Sequence, residues 1–179
     1  MIMNSSIVIK FLLILCFILY SNSSMIKSFM AKASSSSSFV RYLESNSWDL
    51  SIGNIRILLD PVLIGALDFG IPLLYKGERV SIDGQKELET LSKLADYVLI
   101  TQGFDDHAHT PTLKKLSKLC PKMTYICPPS AKGILENCGI GSSNIMSIVP
   151  GETLSLKKED TTIDITGMST SSLLLLSLS

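Results

Sequence analysis

The chain has 179 residues, of which 46% are hydrophobic and 18% are charged, so it is long enough and apolar enough for one domain with a sizeable core. This composition excludes a disordered acidic or basic tail. The 16 basic side chains balance the 16 acidic ones, and this neutrality argues against a nucleic-acid partner or an anionic membrane surface.

The cysteines are widely spaced and form no C-x-x-C pair. Four cysteines are also too few for a disulfide scaffold in a chain of this length. We therefore predict that Cys120, Cys127 and Cys138 are reduced thiols that pack as small apolar side chains. A compartment that keeps thiols reduced fits this pattern.

Residues 1–38 are predicted to be a targeting leader or a disordered segment. Ile7 to Tyr20 is apolar apart from Lys10, but it is too short to span a bilayer comfortably, so we expect no stable membrane span. No acidic residue precedes Glu44 and serines recur up to Ser38, as is typical of organellar transit peptides. The favoured destination is the plastid (chloroplast), with secretion or a membrane anchor through the apolar run as the alternative.

The folded part is predicted to begin near Phe39 with an antiparallel meander. Alternating and β-branched patterns predict strands over residues 40–44, 46–52 and 55–59, and Gly53-Asn54 is typical of a tight hairpin turn between the last two. Pro61 ends the third strand and leaves Asp60 at its carboxyl end.

A loop from Pro61 to Tyr75 follows, broken by glycine and proline, and loops of this length in compact domains are frequently functional. We expect its apolar side chains to wall a site; they are Phe69, Leu73, Leu74 and Tyr75. An amphipathic pattern then predicts a helix over residues 81–95 and a strand over 97–100.

Helices and strands continue to alternate towards the end of the chain. The patterns predict helices over residues 111–119 and 130–138, and strands over 123–127, 147–149, 153–156 and 161–165. This alternation after a meander favours an α/β layered fold over residues 39–167. Residues 168–179 form a low-complexity tail with no charge and no clear period, which is unlike the natural end of a domain.

The loop Thr101 to Thr110 holds both histidines of the chain. Asp105, Asp106, His107 and His109 offer carboxylate and imidazole ligands that suit zinc, iron or manganese. The alternative is a polar loop whose histidines hydrogen-bond to nearby backbone.

The order of these features resembles the metallo-β-lactamase superfamily. The resemblance runs from about Val40 to Ile165, and its most specific parts are the Leu-Asp-Pro strand end at Asp60 and the Ile-Thr-x-x-x-Asp-Asp-His loop, followed by Pro111-Thr112-Leu113. Within the superfamily, the chain is most similar to metal-dependent hydrolases of the ascorbate-phosphate lactonase-like branch, of plant and cyanobacterial type.

The ligand motif of that family is H-x-H-x-D-H, and its four ligand positions fall on Gln102, Phe104, Asp106 and His107. Two expected histidines are therefore replaced, because Gln102 is a weak oxygen donor and Phe104 cannot ligate a metal. The resemblance implies that Asp106 and His107 are metal ligands, with Asp106 also the catalytic base. His109 is an additional imidazole and a third candidate ligand.

The resemblance also assigns supporting roles and a fold. Asp60, Gln102 and Asp105 are expected to support the site by orienting ligands, water or substrate. The family fold is a four-layer αββα sandwich, of which this chain is expected to be the N-terminal portion with an incomplete C-terminal half. The family's later histidine and aspartate ligands have no counterpart, since no histidine follows His109.

These implications predict a metal-dependent hydrolase that acts on a small molecule by metal-activated water and is impaired or inactive as this chain. Zinc is the expected metal, and iron and manganese are the alternative metals. A protein that binds no metal is a further alternative. The competing hypotheses are a non-catalytic binding or structural relative and a truncated product of a longer hydrolase gene. The sequence also leaves open whether the chain forms a homo-oligomer.

Overall fold

The computed structural model describes residues 38–68, 73, 76–78, 80–168 and 174–178. The predicted leader therefore lies outside the described residues, apart from Ser38. The same holds for three of the four residues expected to wall a site, Phe69, Leu74 and Tyr75. The fourth, Leu73, is 95% exposed.

A six-stranded mixed sheet forms the centre of the fold, with its strands in chain order. The first three strands are antiparallel, and β3, β4, β5 and β6 then run parallel to one another. The strands are β1 (Phe39–Tyr42), β2 (Trp48–Ile52), β3 (Ile55–Leu59), β4 (Tyr97–Leu99), β5 (Thr124–Cys127) and β6 (Ile145–Ser147).

Three helices connect the parallel strands and cover one face of this sheet. They are α1 (Gly84–Leu94), α2 (Thr110–Leu119) and α3 (Pro129–Asn137), and a short 3-10 turn (Ser142–Asn144) leads into β6. Parallel strands require such crossovers, which is why the amphipathic segments alternate with apolar runs in the sequence. The core between helices and sheet includes Leu58, Leu88, Leu91, Val98, Leu113, Leu116, Tyr125, Cys127 and Leu135.

A second, antiparallel sheet packs on the other face of the first. It contains β7 (Thr153–Lys158), β8 (Thr161–Gly167) and β9 (Leu174–Leu178), in that order. Alternate residues of β8 point inward. The buried residues between the two sheets include Ile55, Ile57, Leu59, Leu99, Ile126, Ile148, Leu156, Ile163 and Ile165.

The outer face of β7 and β8 carries polar side chains. Thr153 and Thr166 share a hydrogen bond there, and Ser155 donates one to Asp164. Within the described ranges the fold therefore has three layers, helices on sheet on sheet, and matches the predicted incomplete αββα sandwich.

Most predicted elements are confirmed, with shifted ends that have local causes. α1 begins at Gly84 rather than residue 81, because the Asp83 side chain accepts the backbone N–H groups of Gln85 and Lys86 as its N-cap. β1 ends at Tyr42 rather than residue 44, since Glu44 has a positive φ of 68°.

The strand predicted over residues 147–149 is displaced. β6 runs over Ile145–Ser147, because its register is set by parallel pairing with β5, in which Cys127 lies opposite Ser147. Ile148 then turns into the core between the sheets.

The three described cysteines are free thiols, with Cys127 and Cys138 buried and Cys120 half-buried. Among the helices of the described part of the chain, none is both long and apolar enough to cross a membrane.

Candidate metal centre

The candidate site lies at the carboxyl edge of two neighbouring parallel strands. Asp60 follows β3 directly, and Thr101 follows β4 after Ile100. The two strands are paired in parallel, so their carboxyl ends reach the same edge of the sheet. The backbone N–H of Asp60 donates to the carbonyl of Leu99 at 2.9 Å and extends this pairing into the site. Loops at such edges are where α/β folds gather functional groups.

The Asp60 carboxylate is the buried anchor of the site. Its side chain accepts the Thr101 backbone N–H on Oδ1 at 2.7 Å and the Thr101 hydroxyl on Oδ2. The same Oδ2 lies 2.7 Å from His107 Nδ1. Asp60 is 3% exposed and has a left-handed φ of 42°, so its backbone conformation is unusual as well as its burial. The aspartate therefore holds both ends of the 101–107 loop.

The contact with Asp60 fixes the chemical form of the His107 ring. A carboxylate can only accept, so Nδ1 carries the hydrogen and Nε2 presents its lone pair to the site in the neutral ring. Burial lowers the pKa of His107, but the hydrogen bond that the ring donates to Asp60 and the charges of Asp60 and Asp106 outweigh it and raise the pKa above its ordinary value. A carboxylate behind a histidine is the usual arrangement behind metal-ligating imidazoles.

Asp106 presents its carboxylate beside the same lone pair. Its Oδ2 lies 3.6 Å from His107 Nε2, and both atoms face the side chain of Asn46. The Asn46 amide nitrogen is 3.0 Å from Asp106 Oδ2, 3.1 Å from the Asp106 carbonyl oxygen and 3.3 Å from His107 Nε2. One carboxylate oxygen and one imidazole nitrogen thus converge on one point.

His109 has a different role in the structure. It is 1% exposed and occupies the N-cap position of α2, with Nδ1 2.9 Å from the Thr112 hydroxyl. That hydroxyl accepts the backbone N–H groups of Leu63 and Ile64, so its own hydrogen is directed at His109. The Thr112 hydroxyl therefore ties the loop after β3 to α2, and the imidazole accepts the hydrogen of that hydroxyl.

The other predicted residues surround the pair without joining it. Gln102 and Asp105 are half-buried, and Phe104 is 61% exposed. Gly103 packs against the start of α3, where an added Cβ would lie 2.5 Å from the Ser130 carbonyl oxygen. This close approach fixes the path of the loop.

Across the described residues, no cluster of three or more His, Cys, Asp or Glu side chains is placed to hold a metal ion. The pair of Asp106 and His107 nevertheless fits two ligand positions, because the donors are of types that zinc, iron and manganese accept and Asp60 orients the imidazole. Catalytic zinc sites use three protein ligands, so the site as described is one short.

Sequence reasoning missed Asn46 and assigned no role to the Thr101 hydroxyl. Asn46 precedes β2 by two residues, and no spacing links it to the histidine loop. Thr101 opens that loop, but its position alone does not show that its hydroxyl meets Asp60.

Two packed sheets with helices on one outer face, and a carboxylate-backed histidine at the strand ends, define the class of metallo-β-lactamase-like α/β domains. Residues 39–171 match the family described as the beta-lactamase superfamily domain, and the chain belongs to this superfamily.

Several known proteins are similar to the chain. Cytidine monophosphate-N-acetylneuraminic acid hydroxylase from Mus musculus is 31% identical over 115 residues, which cover 62% of this chain and 18% of that protein. CmlA, a diiron beta-hydroxylase from Streptomyces venezuelae, is 15% identical with a TM-score of 0.48, covering 82% of this chain and 28% of CmlA.

A candidate metal-dependent hydrolase from Parabacteroides distasonis is 17% identical with a TM-score of 0.47, covering 86% of this chain and 60% of that structure. The chain thus spans less than two thirds of the length of each of these proteins. The ascorbate-phosphate lactonase-like branch stays a prediction.

Proposed function

We propose that the chain contributes the metal-binding loop of a metal-dependent hydrolase, with Asp106 and His107 as its protein ligands. The observation that supports this most directly is the 2.7 Å contact between Asp60 Oδ2 and His107 Nδ1, which turns the Nε2 lone pair towards Asp106. Membership of the superfamily and the hydrolase similar to it in fold agree with this choice.

The chain's own residues have distinct tasks in this proposal. Asp60 retains the Nδ1 proton of His107 and keeps the ring in the ligating tautomer. Asp106 holds the metal through Oδ2 and serves as the base for the attacking water. A bound divalent ion would supply a lowered pKa for water and polarisation of the substrate oxygen. Zinc is the proposed ion, with iron or manganese as alternatives.

The proposed activity needs more residues than those that the structure describes. The chain covers only part of its relatives, so we propose that further ligands and the substrate-binding residues come from outside the described ranges. The substrate class is a small molecule with a hydrolysable ester, lactone or phosphoester bond.

A non-catalytic binding or structural role is the second candidate. The observation that favours it is the ligand count: Phe104 stands at a ligand position of the family motif, and the described residues bring only two donors together. Such a protein would fold and function without metal.

The test uses the full chain, purified without chelator. Elemental analysis should find about one equivalent of zinc, iron or manganese, and His107→Gln should lose it. His109→Gln is the matched control, because it removes the other imidazole of the same loop from a position that faces Thr112. Hydrolysis of a panel of esters, lactones and phosphodiesters should follow the metal content.

A metal-free wild type whose melting temperature does not change with chelator or added zinc would contradict the hydrolase function and support the second candidate. Equal metal loss in both histidine variants would contradict the assignment of the ligands.

A further inference from the structure

Asn46 is held rigidly at the candidate metal centre. It lies in the turn between β1 and β2, directly after Glu44 and Ser45, which have positive φ angles of 68° and 50°. The next residue, Ser47, is fully buried, and its hydroxyl donates to the Asp60 carbonyl at 3.0 Å and accepts the Val62 N–H at 2.7 Å. The turn is therefore anchored to the same strand end that holds the site.

The Asn46 amide nitrogen has only electron-pair donors as its polar partners in this cluster. They are the Asp106 carbonyl oxygen, Asp106 Oδ2 and His107 Nε2, at 3.1, 3.0 and 3.3 Å. The two amide hydrogens are shared among these three acceptors, one of which is the lone pair that the neutral ring backed by Asp60 presents at Nε2. The carboxamide oxygen at the same place would instead meet two acceptor oxygens.

We propose that the Asn46 amide occupies the position of the cation and closes the site in the metal-free protein. The N–H groups of the Asn46 amide are partly positive and point at a carboxylate, a carbonyl oxygen and an imidazole lone pair. They make hydrogen bonds to the same atoms that a divalent ion would otherwise bind. A metal that binds Asp106 and His107 has to displace this amide and replace its hydrogen bonds. The inference rests on the proposed function, since it takes the same two residues as ligands.

The proposal predicts the direction in which metal affinity changes. Asn46→Ala removes the competitor, and the loss of one or two net hydrogen bonds to be displaced raises the affinity about five- to tenfold. Asn46→Asp goes further, because it replaces the competitor with a carboxylate and completes the three protein ligands that catalytic zinc sites use. If Asn46 were instead a ligand through its oxygen, Asn46→Ala would bind metal more weakly than the wild type.

The matched control is Asn54→Ala, which removes the same side chain from the hairpin between β2 and β3. Asn54 also donates to acidic side chains, Glu159 Oε2 at 2.7 Å and Asp160 Oδ1 at 2.9 Å, but it lies at an exposed position away from the site. The metal affinity of the Asn54→Ala variant should equal that of the wild type.

The experiment titrates the metal-free full chain and these variants with Co²⁺, followed by visible absorption, and with Zn²⁺ by calorimetry. Thermal unfolding of each metal-free variant is measured in parallel, so that a loss of affinity through misfolding is recognised. Asn46→Ser, which keeps a small polar side chain, replaces the alanine variant if the latter does not fold. Two-dimensional ¹H–¹⁵N spectra should show the Asn46 side-chain amide resonances shifting when Zn²⁺ is added.

Tighter binding by Asn46→Ala and Asn46→Asp, with Asn54→Ala unchanged, is the expected result. It would support the inference even if the wild type bound no metal, an outcome that would contradict the proposed function alone. Unchanged or weaker binding by folded Asn46→Ala overturns the inference, and leaves the proposed function standing if the wild type binds metal. An absence of metal binding in every folded variant overturns both.

Discussion

Replacing Asp60 by asparagine tests the organisation of the site most directly. Asp60 accepts three hydrogen bonds with two oxygens, from the Thr101 N–H, the Thr101 hydroxyl and His107 Nδ1. Asparagine has nearly the same shape and tolerates the left-handed backbone conformation of this position, so the substitution changes hydrogen bonding without adding backbone strain.

The loss follows from the number of acceptors. The amide keeps one oxygen, and its NH₂ group then faces either the Thr101 N–H or the Thr101 hydroxyl and the imidazole. At least one buried donor loses its acceptor, at a cost of about 1–3 kcal/mol, and the charge-assisted character of the remaining bonds is lost too. Asp60→Asn should therefore reduce the free energy of unfolding by about 2–4 kcal/mol, which lowers the melting temperature of a domain of this size by roughly 10 °C.

A second effect is expected at His107. If the amide nitrogen faces Nδ1, the ring takes the opposite tautomer and places its hydrogen on Nε2, which can no longer ligate a metal. Thermal and urea denaturation followed by circular dichroism measure the stability, and ¹⁵N shifts of the imidazole report the tautomer.

Asp164→Asn is the control for Asp60→Asn. Asp164 accepts one hydrogen bond, from Ser155, on the exposed face of the second sheet, so its replacement should cost less than about 1 kcal/mol. Equal stability losses in the two variants would refute the reasoning, as would an unchanged imidazole tautomer together with an unchanged melting temperature.

Two further predictions concern the core beside the site. Thr112→Val leaves the two backbone N–H groups that bond to the Thr112 hydroxyl without an acceptor. Urea denaturation should show that the free energy of unfolding falls by about 2–4 kcal/mol. The control is Thr162→Val, on the outer face of the second sheet, and an equally large loss in that variant would contradict the role of the Thr112 hydroxyl. Burial raises the pKa of the Cys127 thiol to about 12 from 9.0, so between these pH values the unfolded chain has lost a proton that the folded state keeps. Stability should fall as pH rises above about 9, by up to about 1.4 kcal/mol per unit from this thiol. Cys127→Ala should reduce this slope in urea denaturation between about pH 9 and pH 10, and a slope identical to that of the wild type would rule the thiol out.

The sequence predicted the secondary elements well because hydrophobic periodicity is a local signal. The segment Ile55–Leu59 is apolar at every position except Arg56. It forms a strand with buried residues on both faces, Leu58 towards the helices and Ile55, Ile57 and Leu59 towards the second sheet. The ends of the helices and strands were predicted less accurately. The Asp83 cap and the pairing of β6 with β5 depend on geometry that periodicity does not encode.

The candidate site divides in the same way. The residue types of the loop identified Asp105, Asp106, His107 and His109 as candidate ligands. The resemblance to the superfamily placed Asp60 beside them and implied ligand roles for Asp106 and His107. Sequence spacing gave His109 equal standing, yet the two imidazoles face different partners, Asp60 and Thr112.

By itself, then, the sequence determined the α/β class, the strand ends that carry the polar groups and the chemistry those groups offer. Only the tertiary structure decided which groups meet. The parallel pairing of β3 with β4 brings Asp60 to His107, a separation of 47 residues, and the β1–β2 turn brings Asn46 to Asp106 across 60 residues. Such contacts depend on the register and twist of the assembled sheet, so no local pattern in the chain records them.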